Sequence, residues 1–224
     1  MRVKSTKGMS SQPDIKTLAG AESGRDIVIL GNGPSLPEMN FKKLSDPVYI
    51  GLNGSVLISN EKDIKEKYYV LSDLRFVKDK SKLSILKDNL NGDTKIIVRK
   101  ELLNYLSGEL INDLYSVRSL GRDGFSEDVK KGFYFGCTTV MLALQLAHYL
   151  GGGRVFLCGV DLRYDPVKPR FYKEDNVHGV DNFSCVQIHN IRESFKLLQE
   201  NGVALFNCSP NSLLKPYVPY YELS

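Results

Sequence analysis

Asn32, Ser35, Asn53, Asp73, Thr138, Thr139 and Asp161 each stand beside the end of a short apolar run or the opening of an apolar stretch. Gly31 and Gly33 surround the first of them, and Gly159 precedes the last. Small polar side chains next to glycines are what a phosphate or another polar anion requires. The glycines let the backbone turn sharply and approach a ligand closely. The side chains and nearby N–H groups supply hydrogen bonds. Asp26-Ile27-Val28-Ile29-Leu30 runs straight into Gly31-Asn32-Gly33-Pro34-Ser35-Leu36. A proline suits the first turn of a helix, so the junction reads as strand, tight turn and helix start, an anion-binding corner. The spacing is neither G-x-G-x-x-G nor G-x-x-x-x-G-K-[ST], which excludes the dinucleotide fingerprint and the P-loop.

The elements that must position these residues are legible in outline. Strands are expected over Asp26–Leu30, Val48–Leu52, Tyr68–Leu71, Lys95–Val98, Arg154–Leu157 and Val203–Phe206. They are short and mostly without polar alternation, the pattern of parallel strands buried on both faces. Val140–Leu150 is apolar nearly all round and reads as a central buried helix, with His148 a satisfied core residue on it. Val186–Asn201 is amphipathic, with Ile188, Ile191, Phe195 and Leu198 on one face and Gly202 as its C-cap. Alternating strands and helices imply an α/β doubly wound, mostly parallel sheet with helices on both faces. In such sheets ligands sit beyond the carboxyl ends of the strands. The residues there are Asn32-Gly33-Pro34-Ser35, Asn53-Gly54-Ser55, Ser72-Asp73, Cys158-Gly159-Val160-Asp161 and Cys208-Ser209-Pro210-Asn211-Ser212. One polar exit is ordinary turn chemistry. Five suggest a shared pocket, to which the helix start at Thr138-Thr139 adds N–H groups and a positive dipole end.

With 224 residues the chain fits a loose arm over 1–25 and one domain over 26–224. A net charge of +4 and a pI near 8.7 favour an anionic ligand or an acidic membrane surface and argue against nucleic acid. The lysine-rich stretch from Lys62 to Lys82 reads as a solvated helical face. No apolar run reaches the roughly 20 residues that cross a bilayer, and the N-terminus has no apolar leader. Cys137, Cys158, Cys185 and Cys208 are scattered, which is expected of reduced thiols in a cytoplasmic protein without a zinc site.

Ile29-Leu30-Gly31-Asn32-Gly33-Pro34-Ser35-Leu36 resembles the opening motif of the Campylobacter-type lipooligosaccharide sialyltransferases. Asn53, the Thr138-Thr139 helix start, Phe156-Leu157-Cys158-Gly159-Val160-Asp161 and Cys208-Ser209-Pro210-Asn211-Ser212-Leu213-Leu214 resemble further segments of that family. The likeness runs from Ile27 to Leu214 and is patchy in the middle. It implies a single Rossmann-like domain and a CMP-activated acidic sugar as donor, with sialic acid, Kdo, pseudaminic acid and legionaminic acid all open. It implies an inverting transfer to a surface glycan or glycolipid without metal or cofactor, and the sequence holds no D-x-D. Asn32, Gly33, Asn53, Thr138, Thr139, Gly159 and Asp161 would surround the CMP, with Ser72 or Asp73 near the donor and Ser35 in the same corner. Tyr164 and Tyr172, in a lid over about 162–185, would hold the leaving phosphate.

The family's catalytic histidine has no match, because gap-free spacing puts Cys185 there. His178, in the lid, becomes the candidate base, and His189, on the last helix, is the other candidate. The implied place of work is cytoplasmic, with contact at the inner membrane face and self-association both open. The Gly-x-Gly-Pro-Ser-Leu motif also resembles archaeal pterin diphosphokinases of the MptE-like kind and flagellin-glycosylation factors. A diphosphokinase would need Mg²⁺, for which Asp73, Asp161 and Asp165 are available. A non-catalytic nucleotide-binding module of a glycan assembly is the third reading.

Overall fold

Successive residues of β1 (Asp26–Leu30) face opposite layers, and both layers are apolar. Ile27 and Ile29 enter one core, while Val28 and Leu30 enter another with Leu36, Met39, Phe41 and Phe156. That two-sided burial is why the run carries no polar alternation. The computed structural model describes residues 12–106, 110, 112–163, 169–173 and 181–223. Within them follow β2 (Val48–Leu52), α1 (Val56–Lys62), β3 (Glu66–Leu71), α2 (Leu74–Lys78), α3 (Lys80–Asn89), β4 (Lys95–Arg99), α4 (Leu103–Leu106) and β5 (Leu114–Val117). Then come β6 (Ser119–Gly121), β7 (Phe133–Tyr134), α5 (Thr139–Tyr149), β8 (Arg154–Cys158), α6 (Ser184–Glu200) and β9 (Ala204–Asn207).

Seven strands form one parallel sheet in the order β5-β4-β3-β2-β1-β8-β9. From β1 the chain steps outward to β5, then returns to the other side of β1 at β8. The order therefore reverses between β1 and β8, the place where doubly wound sheets open a crevice. Leu30 is in register with Gly51 on one side and Cys158 on the other, so three strands end level there. Buried α5 crosses one face of the sheet against β1, β2 and β3. Buried Gln145 ties α5 to the small β6–β7 layer, accepting from Ser126 N at 2.8 Å and Tyr134 N at 3.0 Å. On the other face, α1, α2 and α3 cover Tyr69, Leu71, Ile96 and Val98.

Several expectations need correction. Residues 12–25 are not a loose arm. Ile15 and Leu18 are core residues, and Gly20, Glu22 and Gly24 donate backbone hydrogen bonds to Tyr149, Leu150 and Gly151. Buried Glu22 accepts from Lys67 Nζ at 2.6 Å, Tyr68 Oη at 2.7 Å and Arg25 at 3.0 Å. The stretch 62–82 is not one helical face, because β3 occupies its middle and α2 its end. No α-helix follows β1. Leu36–Glu38 is a single 3-10 turn, so the dipole expected behind Gly33 is absent. His148 is not satisfied: its Nδ1 is buried without a partner, and burial lowers its pKa against the pull of Glu127. The expected lid ends earlier than 185, since α6 starts at Ser184.

Candidate functional site

Beyond the sheet, β1 and β8 stay joined for two further residues. Gly31 N donates to Cys158 O at 2.7 Å and Gly33 N to Gly159 O at 2.8 Å. A Cβ on Gly33 would fall 1.8 Å from Asp161 Oδ2, so no other residue fits between these exits. Glycine was expected there for closeness to a ligand. The close neighbour is Asp161 itself, and the Gly33 N–H expected to stabilise an anion is bonded to Gly159.

Asn32 spans the next gap. Its Nδ2 donates to Leu52 O at 3.1 Å and its Oδ1 accepts from Gly54 N at 3.0 Å, locking the β1 exit to the β2 exit. Asn53 is thereby held at φ 50°, a left-handed conformation that asparagine tolerates better than most residues. Tyr69 Oη donates to its carbonyl. The Asn53 side-chain oxygen Oδ1 is buried and has no hydrogen-bond partner among the described residues. A buried acceptor left without a donor costs about 1–3 kcal/mol.

The start of α5 closes the crevice from above. Gly136 and Cys137 both have positive φ, turning the chain so that Thr138 is extended and Thr139 begins the helix. Thr138 Oγ1 caps by accepting from Val140 N at 3.3 Å. Ser72 Oγ, at the β3 exit, donates to Thr139 Oγ1 at 3.0 Å.

The cleft between these parts is small and open to solvent, with a cavity volume of about 90 Å³. Asn32, Gly33, Asn53, Asp73, Thr138, Thr139, Gly159 and Asp161, residues from four exits and one helix start, all line it. Ser35 does not; it lies beneath, donating to Asp161 Oδ2 from Oγ at 3.0 Å and from N at 3.3 Å, with Ser209 Oγ 2.9 Å away. Burial raises the Asp161 pKa, and the Ser35 bonds oppose that shift. Asp73 caps α2 at Arg75 N, 2.9 Å, and pairs with the Arg75 guanidinium, which also lines the cleft. Tyr172 packs against Gly54, and its neighbour Phe171 donates from N to Asn32 O at 3.1 Å, so 169–172 lies across the β1 and β2 exits.

Tyr164, Asp165 and His178 lie outside the described residues. His189 and Cys185 are exposed on α6 and do not line the cleft. Arg163, Arg170, Cys137, Gln187 and Asp181, none of them expected, do line it. Asp181 carried a signal that was missed, an aspartate just ahead of an amphipathic helix. Among the described residues no three His, Cys, Asp or Glu side chains are grouped to hold a metal ion. No described helix is long and apolar enough to cross a membrane.

A family model described as 6-hydroxymethylpterin diphosphokinase MptE-like matches residues 3–166. A Salmonella typhimurium protein described as a probable 3-deoxy-manno-octulosonic acid transferase is 24% identical over 252 aligned positions, covering 94% of this chain and 93% of its own. The MAf glycosyltransferase from Magnetospirillum magneticum AMB-1 superposes with a TM-score of 0.63 at 16% identity, over 90% of this chain and 34% of that one. The chain thus spans about a third of that larger protein. The sialyltransferase CstII from Campylobacter jejuni, solved in complex with a substrate analogue, cytidine-5'-monophosphate, superposes at 0.56 with 17% identity, over 88% of this chain and 85% of that one. The fold is therefore the Rossmann-like α/β fold that these glycosyltransferase structures share.

Proposed function

The chain belongs to the MptE-like family, and on that premise we propose that it is a glycosyltransferase. Its donor would be an acidic sugar activated as its CMP derivative and its acceptor a glycan or glycolipid, with no metal needed and the anomeric centre inverted. The observation that carries this reading is the cleft itself, where polar residues from four strand exits meet the capped start of α5. Asn53, on that lining, is proposed to turn its amide to a ribose hydroxyl or the cytosine amine. The first turn of α5 at Thr138 and Thr139 is placed to stabilise the charge that gathers on CMP as the glycosidic bond breaks. Tyr172, which packs on Gly54 without lining the cleft, and Tyr164 are proposed to donate to the same phosphate. Relatives that transfer sialic acid and 3-deoxy-manno-octulosonic acid, both acidic sugars, support the donor class.

The test is release of CMP from CMP-N-acetylneuraminic acid, CMP-Kdo, CMP-pseudaminic acid and CMP-legionaminic acid, with and without glycan acceptors. Release from at least one donor is expected. Silence from all of them contradicts the reading. The family's description favours a second reading, diphosphate transfer from ATP to a hydroxymethylpterin. It requires strongly Mg²⁺-dependent consumption of ATP.

A further inference from the structure

A displacement at a sugar carbon needs a group to take the acceptor's proton, and no histidine lines the cleft among the described residues. Among the described residues, four side chains there could accept a proton. Asp73 is committed to the α2 cap and to the Arg75 guanidinium. Asp161 is buried under the glycine turn with Ser35, and burial favours its protonated form. Cys137 is a thiol whose pKa burial raises. Asp181 is the fourth.

Resting on the glycosyltransferase reading, we propose that Asp181 is the general base. Its carboxylate sits at the cleft mouth ahead of α6 and is held by two donors. Phe183 N donates to Oδ1 at 2.9 Å and Gln187 Nε2 donates to Oδ2 at 2.8 Å. The same Gln187 nitrogen donates to Cys137 O at 3.0 Å, in the turn that leads into α5. Gln187 is almost fully buried, so this bridge is fixed and sets the base relative to the helix start that faces the leaving phosphate. A carboxylate offers about four lone-pair directions, and two neutral donors leave room for an acceptor hydroxyl. In the step, the acceptor oxygen bonds to the anomeric carbon and its proton passes to Asp181. The bond from that carbon to the phosphate oxygen breaks, and CMP leaves with the electron pair.

The experiment compares wild type, Asp181→Asn and Asp181→Ser, with CMP-N-acetylneuraminic acid and CMP-Kdo as donors and water or sodium azide as acceptor. Azide needs no proton removed. Both Asp181 variants should bind CMP, read as an unchanged rise in melting temperature. They should release CMP to water about 100-fold more slowly, within the range that positioned bases contribute. Azide should restore at least tenfold of the lost rate. Asp181 variants that keep the wild-type rate, or a lost rate that azide does not restore, overturn the assignment and leave the donor reading standing. A wild-type protein that releases no CMP from these two donors, nor from CMP-pseudaminic acid or CMP-legionaminic acid, overturns both.

Discussion

Asn53 and Gly33 show what single residues contribute to this cleft and how far their types disclosed it. Asparagine after a strand signalled a polar contact, and the structure separates two such residues by role. Asn32 uses both ends of its amide to tie two strand exits together, whereas Asn53 keeps a buried acceptor without a partner. No sequence pattern distinguishes these, because the difference lies in which carbonyl and N–H stand opposite. We expect Asn53→Ala to weaken CMP binding about tenfold, a loss of roughly 1.4 kcal/mol, with little change in stability. Titration calorimetry on the variant measures this. Gly33 was read as a site of close approach, and the structure adds a neighbour the sequence did not disclose, Asp161. Gly33→Ala places a methyl group 1.8 Å from Asp161 Oδ2, and either the Asp161 carboxylate or the turn must move. Overpacking of this kind costs about 1–3 kcal/mol, readable as a lower denaturant midpoint.

Elements were legible where burial is two-sided and long. β1, β2, β8 and α5 are unbroken apolar segments, and the structure places them within a residue or two of the expected bounds. β5 escaped because it is the edge strand, and its burial alternates as intermediate, buried, intermediate, buried. β6 and β7, three and two residues long, are too short to carry a period. The 3-10 turn after β1 was mistaken for a helix because Pro34 suits both. The start of α5 is therefore the only helix opening expected at the cleft that the structure supplies. Thr138→Ala should cost about 1 kcal/mol by removing the cap. For a chain of this size that lowers the melting temperature by about 2–4 °C. CMP binding should fall along with it, whereas a cap with no part in binding would lower stability alone.

At the scale of the whole molecule, the order β5-β4-β3-β2-β1-β8-β9 brings residues 129 positions apart in sequence to one crevice, as with Asn32 and Asp161. Alternation of strands and helices was enough to point to the end of the sheet where the cleft opens. It could not place Asp181 or Gln187, whose position depends on how α6 packs beside α5. Two buried glutamates give the molecule opposite pH responses. Burial raises the Glu66 pKa above its ordinary 4.5, with only the Ser59 hydroxyl and its own backbone opposing, so its folded form holds its proton longer than the unfolded one. Its stabilising contribution is complete below pH 4.5 and is lost as pH rises through the raised folded value. Burial also pushes Glu22 up, but Lys67, Tyr68 and Arg25 outweigh it and leave its pKa below 4.5. Its contribution is present above pH 4.5 and is lost as pH falls through the lower folded value. Glu66→Gln should therefore gain melting temperature relative to wild type as pH rises from 4 to 8, and Glu22→Gln should lose it over the same range. Calorimetry across that range checks both signs. The claim on which the functional reading turns is that one cleft at the β1–β8 switch grips a cytidine monophosphate. Titration of the wild-type protein with CMP, repeated on Asn53→Ala, measures it directly: saturable one-site binding that weakens about tenfold in the variant is expected, and absence of CMP binding, or binding that the variant leaves unchanged, would contradict it.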